Sequence, residues 1–402
     1  MTGGKRPGRR AFLGAAGIAL SKAAAVRQHI VSVRAASVPL LAASRFGTRL
    51  FRDDFDPARM RWFGPFSQLT GAILVQVRTD QGLTGYGLGG GGGAAVYIIE
   101  HHLKDLLEGA DARNIELLWD QMFSSTSFYG RKGVVIMAMS GIDLALWDLA
   151  GKAAGRPVYE LLGGARKDRV RAYQTGNDLE AGLKLGFTAF KLPVNQGPAD
   201  GEEGKKQIVA RMAAARKLIG GEALLMIDVL GRWDVPYTLE MAARLAEYRL
   251  HWIEEPLLPD DLAGYETLCR EVRGTRIASG EHEYTHHGFR ELLKHKAAHV
   301  LQPDLTWSGG LTTGRRVAVM AAAEGAPLVP HRGGSLYGIH LVLADGNAPL
   351  AESFGTGEPG NELMNRMTAP FERGSYLRPP GPGLGVEITP EVLKKYAPKL
   401  VP

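Results

Sequence analysis

From residue 169 onward the chain repeats one pattern: a short apolar run that reads as a buried strand, then a stretch with helical periodicity, then another apolar run. The strands are expected at Val170–Tyr173, Ala189–Pro193, Ala223–Asp228, His251–Glu254, Ile277–Glu281, Val300–Asp304, Pro327–His331 and Pro349–Glu352. Eight strands separated by helical segments indicate a closed parallel α/β barrel rather than an open sheet. The repetition is one of pattern only, with no repeat in residue identity.

The part before residue 169 is different. His29–Val33 alternates like a strand, and Ile73, Val75 and Val77 alternate ahead of the turn Thr79–Gly82, which reads as a β-hairpin. The Gly89–Gly93 run lacks the Lys-Ser/Thr of a nucleotide loop and reads as a flexible connector. Helical periodicity then runs from Ala95 to Leu162, clearest at Ile142, Ala145, Leu146 and Leu149. Residues 40–70, rich in Arg, Asp and Phe, read as a long functional loop. The expected organisation is an α+β capping domain over residues 26–165, a barrel over 166–355 and a segment over 356–402 that packs back on the cap.

Composition excludes several classes. With 45% hydrophobic and 22% charged residues the chain is neither disordered nor a coiled coil, and no run reaches the ~18 apolar residues of a membrane span. Cys269 is the only cysteine, which excludes an intrachain disulfide and a cysteine-built zinc site. The net charge of +6 hints at an anionic partner, but five basic residues and no acid lie within residues 1–25; without them the charge is +1. That segment places Arg9-Arg10-Ala11-Phe12-Leu13 before an apolar run and Ala23-Ala24-Ala25, the order of a twin-arginine export signal. The expectation is an exported, periplasmic protein with no nucleic-acid surface; the alternative is a cytoplasmic protein whose basic N-terminus carries the arginine pair by chance.

The strand ends carry the chemistry. From the second strand onward they present Lys191, Asp228, Glu254, Glu281, Asp304, His331 and Glu352, and the last five intervals are 26, 27, 23, 27 and 21 residues, about one βα unit each. In a barrel the C-terminal strand ends converge, so these side chains meet. Unpaired buried charges are costly, and three adjacent carboxylates repel one another, so Asp228, Glu254 and Glu281 call for a cation. An all-oxygen set suits Mg²⁺.

These residues resemble the enolase superfamily in its mandelate racemase-like group. The likeness is carried by Ala145-Leu146-Trp147-Asp148-Leu149, Leu161-Leu162-Gly163-Gly164, Trp252-Ile253-Glu254-Glu255, Ser279-Gly280-Glu281-His282, Gln302-Pro303-Asp304 and Gly309-Gly310-Leu311-Thr312. Within the group the chain is most similar to rhamnonate dehydratases, through Gly197–Gly201 and Val329-Pro330-His331. The resemblance implies a modified TIM barrel, (β/α)7β, behind an α+β cap, and a homo-oligomer. It implies Asp228, Glu254 and Glu281 as Mg²⁺ ligands and an Asp304–His331 dyad that removes the proton α to a substrate carboxylate. It further implies that Glu352 is held protonated as a hydrogen-bond donor to the enediolate, and that Lys191 adds positive charge. The activity implied is dehydration of a small acid sugar to a 2-keto-3-deoxy acid.

Three departures qualify the likeness. Lys191-Leu192-Pro193 lacks the second lysine of racemases, which disfavours proton transfer between faces. Asp228-Val229-Leu230 has no polar partner after the metal ligand. Between Ala42 and Gly71 there is no histidine, and Arg61, with Arg59, is the approximate counterpart of a substrate-contacting pair, which leaves the substrate open to acids other than rhamnonate. His282 is expected to line the site as a substrate contact or to stand behind it, Glu255 to orient Lys191 or metal ligands, His286 and His287 to be loop residues, and Trp233 and Trp307 to wall the pocket or pack. The competing functions are an epimerase or another dehydratase of the same superfamily, and a sugar-acid binding protein without turnover.

Overall fold

The computed structural model describes residues 27–38, 71–354 and 362–401. The twin-arginine segment, the 40–70 loop with Arg59 and Arg61, and residues 356–361 of the tail lie outside the described residues.

Three antiparallel strands, β1 (Ile30–Val38), β2 (Ala72–Thr79) and β3 (Thr84–Gly89), form the sheet of the cap. The alternation read in β2 does not separate a wet face from a dry one, because both faces are buried. The long helix Val134–Ala154 covers one of them. On β3 the glycines at every second position make this possible. A Cβ at Gly85 would meet Ala145 O at 2.1 Å, one at Gly87 would meet Gly141 O at 2.0 Å, and one at Gly89 would meet Met137 O at 2.5 Å. The strand period of two is thereby matched to the helix period of four, backbone against backbone. That helix is long and apolar enough to cross a membrane, yet it is buried for nearly its whole length as the core of the cap.

The Gly89–Gly93 run is not a flexible connector. Gly89–Gly92 form a buried turn into the helix Gly92–Ile98, only Gly93 is exposed, and a Cβ at Gly90 would lie 2.9 Å from both Met137 Sδ and the Trp307 indole. The cap is thus seated on the barrel at the residue that walls the active site.

The barrel strands are β4 (Arg169–Thr175), β5 (Ala189–Pro193), β6 (Leu224–Asp228), β7 (Leu250–Glu254), β8 (Arg276–Ser279), β9 (Val300–Leu301) and β10 (Ala351–Ser353), and β10 pairs with β4 to close the ring. The expected seventh strand at 327–331 is a single bridge, Leu301 to Leu328, because Pro327 and Pro330 remove the ladder donors on either side. For the same kind of reason β9 stops before Pro303, and β8 stops at Gly280, whose φ of +126° turns the chain. Tyr173, Ala189, Met226, Trp252, Ala278, Val300, Val329 and Leu350, one from each stave, fill the barrel interior. The tail touches both units: β11 (Phe371–Glu372) and β12 (Ser375–Leu377) form a hairpin on β4, while Leu384 N donates to Asp148 Oδ1 of the cap at 2.9 Å and Gln76 Nε2 donates to Leu400 O at 3.3 Å.

Candidate active site

Asp228 and Glu254 are the last residues of β6 and β7. Glu281 stands two residues beyond β8, Asp304 and His331 follow β9 and the seventh stave, and Glu352 lies within β10. Lys191 is the middle residue of β5 rather than its end. All seven side chains are buried in one cluster at the C-terminal mouth of the barrel.

Asp228, Glu254 and Glu281 present carboxylate oxygens that all lie within 4.8 Å of one another. Burial raises each of them to about 7, mutual repulsion adds to this, and Lys191 opposes it. Glu281 Oε2 is buried with no hydrogen-bond partner. Glu254 is fully held: Oε1 takes the Lys191 ammonium, while Oε2 accepts from Trp252 Nε1 at 2.9 Å and from Gln302 Nε2 at 2.7 Å.

Opposite stands the dyad. His331 Nδ1 donates to Asp304 Oδ2 at 2.7 Å, and the other oxygen of Asp304 accepts from Thr306 N and Oγ1, both at 2.6 Å. His331 Nε2 therefore faces the carboxylates, 3.8 Å from Glu281 Oε2 and 3.7 Å from Glu352 Oε2. Burial alone lowers the basicity of His331, but Glu281, Glu352 and Asp304 outweigh it and raise the imidazole to about 9. Trp307, at 5.5 Å between ring centroids, and Phe354, edge-on at 5.6 Å, wall the ring.

Glu352 differs from the expectation. Its Oε1 binds Lys191 Nζ at 2.8 Å and accepts from Thr175 Oγ1 at 2.6 Å, and its Oε2 accepts from Arg332 N at 2.8 Å. Burial pushes this acid up, but Lys191 and His331 outweigh burial and hold it at about 2. It is an ionised partner of Lys191 and not a neutral acid.

The remaining candidates fall into place around this cluster. His282 Nδ1 is bonded to Glu255 Oε2 at 2.8 Å and stands 3.7 Å from Glu281 Oε1; burial opposes its charge, but Glu255 raises it to about 10, and its ligand atoms with those of Glu255 and Glu281 form a second close group beside the first. Glu255 thus orients His282, not Lys191. His282 also packs at a tilt against Trp307, with 5.6 Å between ring centroids. Trp233 is packing: it is buried, and its Nε1 donates to Gln196 O at 2.9 Å. His286 and His287 are not loop residues but belong to the helix Thr285–Lys294, where they pack on Trp119 and Phe123. Thr175, Gln302 and Arg332 were not expected as contacts. Gln302 and Arg332 at least flank recognised residues in sequence, whereas nothing local marks Thr175.

Comparison with known proteins follows the same lines. Residues 63–163 match the mandelate racemase/muconate lactonizing enzyme N-terminal domain, and residues 175–392 match the enolase C-terminal domain-like family. The chain belongs to the mandelate racemase-like group of the enolase superfamily. Within it the chain falls in the rhamnonate dehydratase branch. It is 39% identical over 329 residues to the L-rhamnonate dehydratase of Saccharopolyspora erythraea, covering 80% of this chain and 84% of that one. The solved rhamnonate dehydratase of Gibberella zeae, a Mg complex, superposes with a TM-score of 0.83 at 31% identity, covering 93% of this chain and 97% of that one. A magnesium-bound racemase from Streptomyces coelicolor A3(2) superposes with a TM-score of 0.75 at 29% identity, covering 91% and 99%.

The residues present fit a divalent cation of this group. The donor set is all oxygen, as Mg²⁺ prefers, and Glu281 Oε2 is an orphaned buried acceptor aimed into the cluster.

Proposed function

We propose that this protein is a Mg²⁺-dependent hydro-lyase that dehydrates a small acid sugar, an aldonate of the rhamnonate type, to a 2-keto-3-deoxy acid. The observation that carries this reading is the one-sided chemistry of the site. A single neutralisable base, His331, faces the three-carboxylate cluster, while the second lysine of racemases is replaced by Pro193. Lys191 cannot act as a base on the other face, because Glu254 and Glu352 hold its ammonium well above its ordinary range despite burial.

Asp228, Glu254 and Glu281 would hold the cation, which supplies Lewis-acid stabilisation of the substrate carboxylate as negative charge develops on it. The chain's own residues do the rest. Asp304 holds the Nδ1 proton, so Nε2 is the atom that exchanges protons, and it accepts one from substrate once the imidazolium has lost its own. His331 takes the proton α to the carboxylate and carries it to the departing β-hydroxyl, which leaves as water; the enol then becomes the keto acid. Lys191, rather than a neutral Glu352, is the fixed positive charge beside the reacting carboxylate, and Glu352 with Thr175 locks it there. Trp307 and Phe354 limit water around the ring.

Export through a twin-arginine signal is part of the proposal and rests on Arg9-Arg10-Ala11-Phe12-Leu13; replacing both arginines by lysine should leave the protein in the cytoplasmic fraction. Assembly as a homo-oligomer is likewise part of the proposal, and sedimentation tests it. The activity is tested by screening acid sugars with Mg²⁺ for a 2-keto-3-deoxy product. Solvent deuterium uptake at the α-carbon without loss of water would instead identify an epimerase.

A further inference from the structure

A cavity of about 570 Å³ opens at the end of the barrel opposite the carboxylate cluster. It is framed by Leu224, Leu250 and Arg276, the first residues of β6, β7 and β8, whereas Asp228 and Glu254 are the last residues of β6 and β7. Four residues of strand, about 13 Å, separate the two ends. Four arginines line the cavity, Arg216, Arg249, Arg273 and Arg276, and among the described residues its only lining carboxylate is Glu222.

One of the four is explained by the fold. Arg216 donates to Tyr248 O at 3.0 and 2.9 Å, to Gly220 O at 3.0 Å and to Ala223 O at 2.7 Å, so its guanidinium clamps the turns that lead into β6 and β7. The others retain free donors. Arg249 gives one bond to Gly221 O at 2.7 Å, Arg276 gives one to His251 Nε2 at 3.2 Å, and Arg273 uses only Nη1, on the carbonyls of its own turn. All three residues are exposed.

The two histidines in the wall are set as neutral groups. Arginine only donates, so His251 accepts at Nε2; burial and the guanidiniums of Arg276 and Arg171 lower it to about 4. His299 accepts at Nδ1 from Ile277 N at 3.0 Å, which places its proton on Nε2, where the backbone carbonyl of Cys269 accepts it, so this ring walls the cavity without offering a donor. The backbone is irregular at this point as well. The pairing of β6 with β7 slips between Leu225–Leu250 and Met226–Trp252, leaving His251 as the extra residue of a bulge, a device that re-aims side chains beside binding sites. Arg249, just before β7, has φ of +49°, a left-handed conformation that favours glycine.

We propose that this cavity binds a small, multiply charged oxyanion, with Arg249, Arg273 and Arg276 as its guanidinium donors. Guanidinium forks match phosphate and carboxylate groups bidentately, and the volume is that of a small-molecule site, larger than a single phosphate fills. The inference does not depend on the acid-sugar reading, since it concerns the opposite end of the barrel and its test needs no turnover.

The test is calorimetric titration of the full chain at low salt with pyrophosphate and, separately, with citrate. Tighter binding of pyrophosphate assigns phosphate groups as the natural charge carrier, and tighter binding of citrate assigns carboxylates. Arg276→Gln and Arg249→Gly should each weaken the better ligand by about tenfold or more. Arg249→Gly relaxes the left-handed backbone, so it keeps the fold, and unchanged Mg²⁺ binding in both variants verifies that. No saturable heat with either anion up to about 10 mM, or equal affinity in wild type and both variants, overturns the proposal.

Discussion

Asp304→Asn is the change whose outcome the geometry fixes most tightly. Asp304 Oδ1 accepts from Thr306 N at 2.6 Å, and a backbone N–H can only donate. The amide oxygen of asparagine must therefore take the Oδ1 position, which turns the Nδ2 donors toward His331 Nδ1. That nitrogen now has to accept, so the imidazole proton moves to Nε2, the atom that faces Glu281 and Glu352 at 3.8 and 3.7 Å. The base is then blocked in place, with no cavity formed and no hydrogen bond lost. General-base catalysis contributes about 10²–10⁴-fold, so kcat should fall by that factor, roughly 3–5 kcal/mol on the barrier. Initial-rate assay of keto-acid formation, paired with thermal melting, separates this from misfolding: the melting temperature should hold while the rate collapses. Turnover within about tenfold of wild type would refute the tautomer argument.

Other consequences are open to direct measurement. Lys191→Met leaves Glu254 and Glu352 buried without their cation, and breaking such a pair costs about 3–5 kcal/mol, so a clear drop in melting temperature should accompany loss of turnover; an unchanged melt contradicts the ion-pair geometry. Asp228, Glu254 and Glu281 have folded values raised to about 7, above their unfolded ones, so their contribution to stability is fully present below about pH 4 and is lost as pH rises through 7. Mg²⁺ needs these groups ionised, so the melting shift it produces should be small at pH 5.5 and largest above 7; equal shifts at both ends would sink the metal assignment. Gly87→Ala puts a methyl 2.0 Å from Gly141 O, and overpacking of this kind should cost about 1–3 kcal/mol or more in chemical denaturation, whereas Gly82→Ala, with nothing within 4 Å, is limited to its backbone strain.

The site was legible in the sequence because barrel geometry turns spacing into proximity. Asp228 and Glu254 each end an apolar run, and the following acids and His331 recur at one βα unit. What spacing could not convey was backbone detail: Gly280 and Pro303 cut two strands short of Glu281 and Asp304, and Pro327 with Pro330 reduced a third to one bridge. Charge states were also illegible. Glu352 is ionised because Lys191, far off in sequence but only one stave beyond β4, reaches it inside the barrel. The Gly89–Gly93 run read as slack in the chain, but Gly89 and Gly90 are set by a helix backbone and an indole from elsewhere, as Gly85 and Gly87 are by the same helix. Local composition records that a Cβ is absent, not what fills its place.

The central claim is that His331 Nε2 removes the α-proton and delivers it to the leaving hydroxyl beside a bound Mg²⁺. The direct test compares wild type with His331→Asn on L-rhamnonate and related aldonates, following 2-keto-3-deoxy acid formation with Mg²⁺ binding measured in parallel. The account predicts product from wild type with at least one of these acids, and none from a His331→Asn variant that still binds Mg²⁺ normally. Product formed by that variant at the wild-type rate would contradict it.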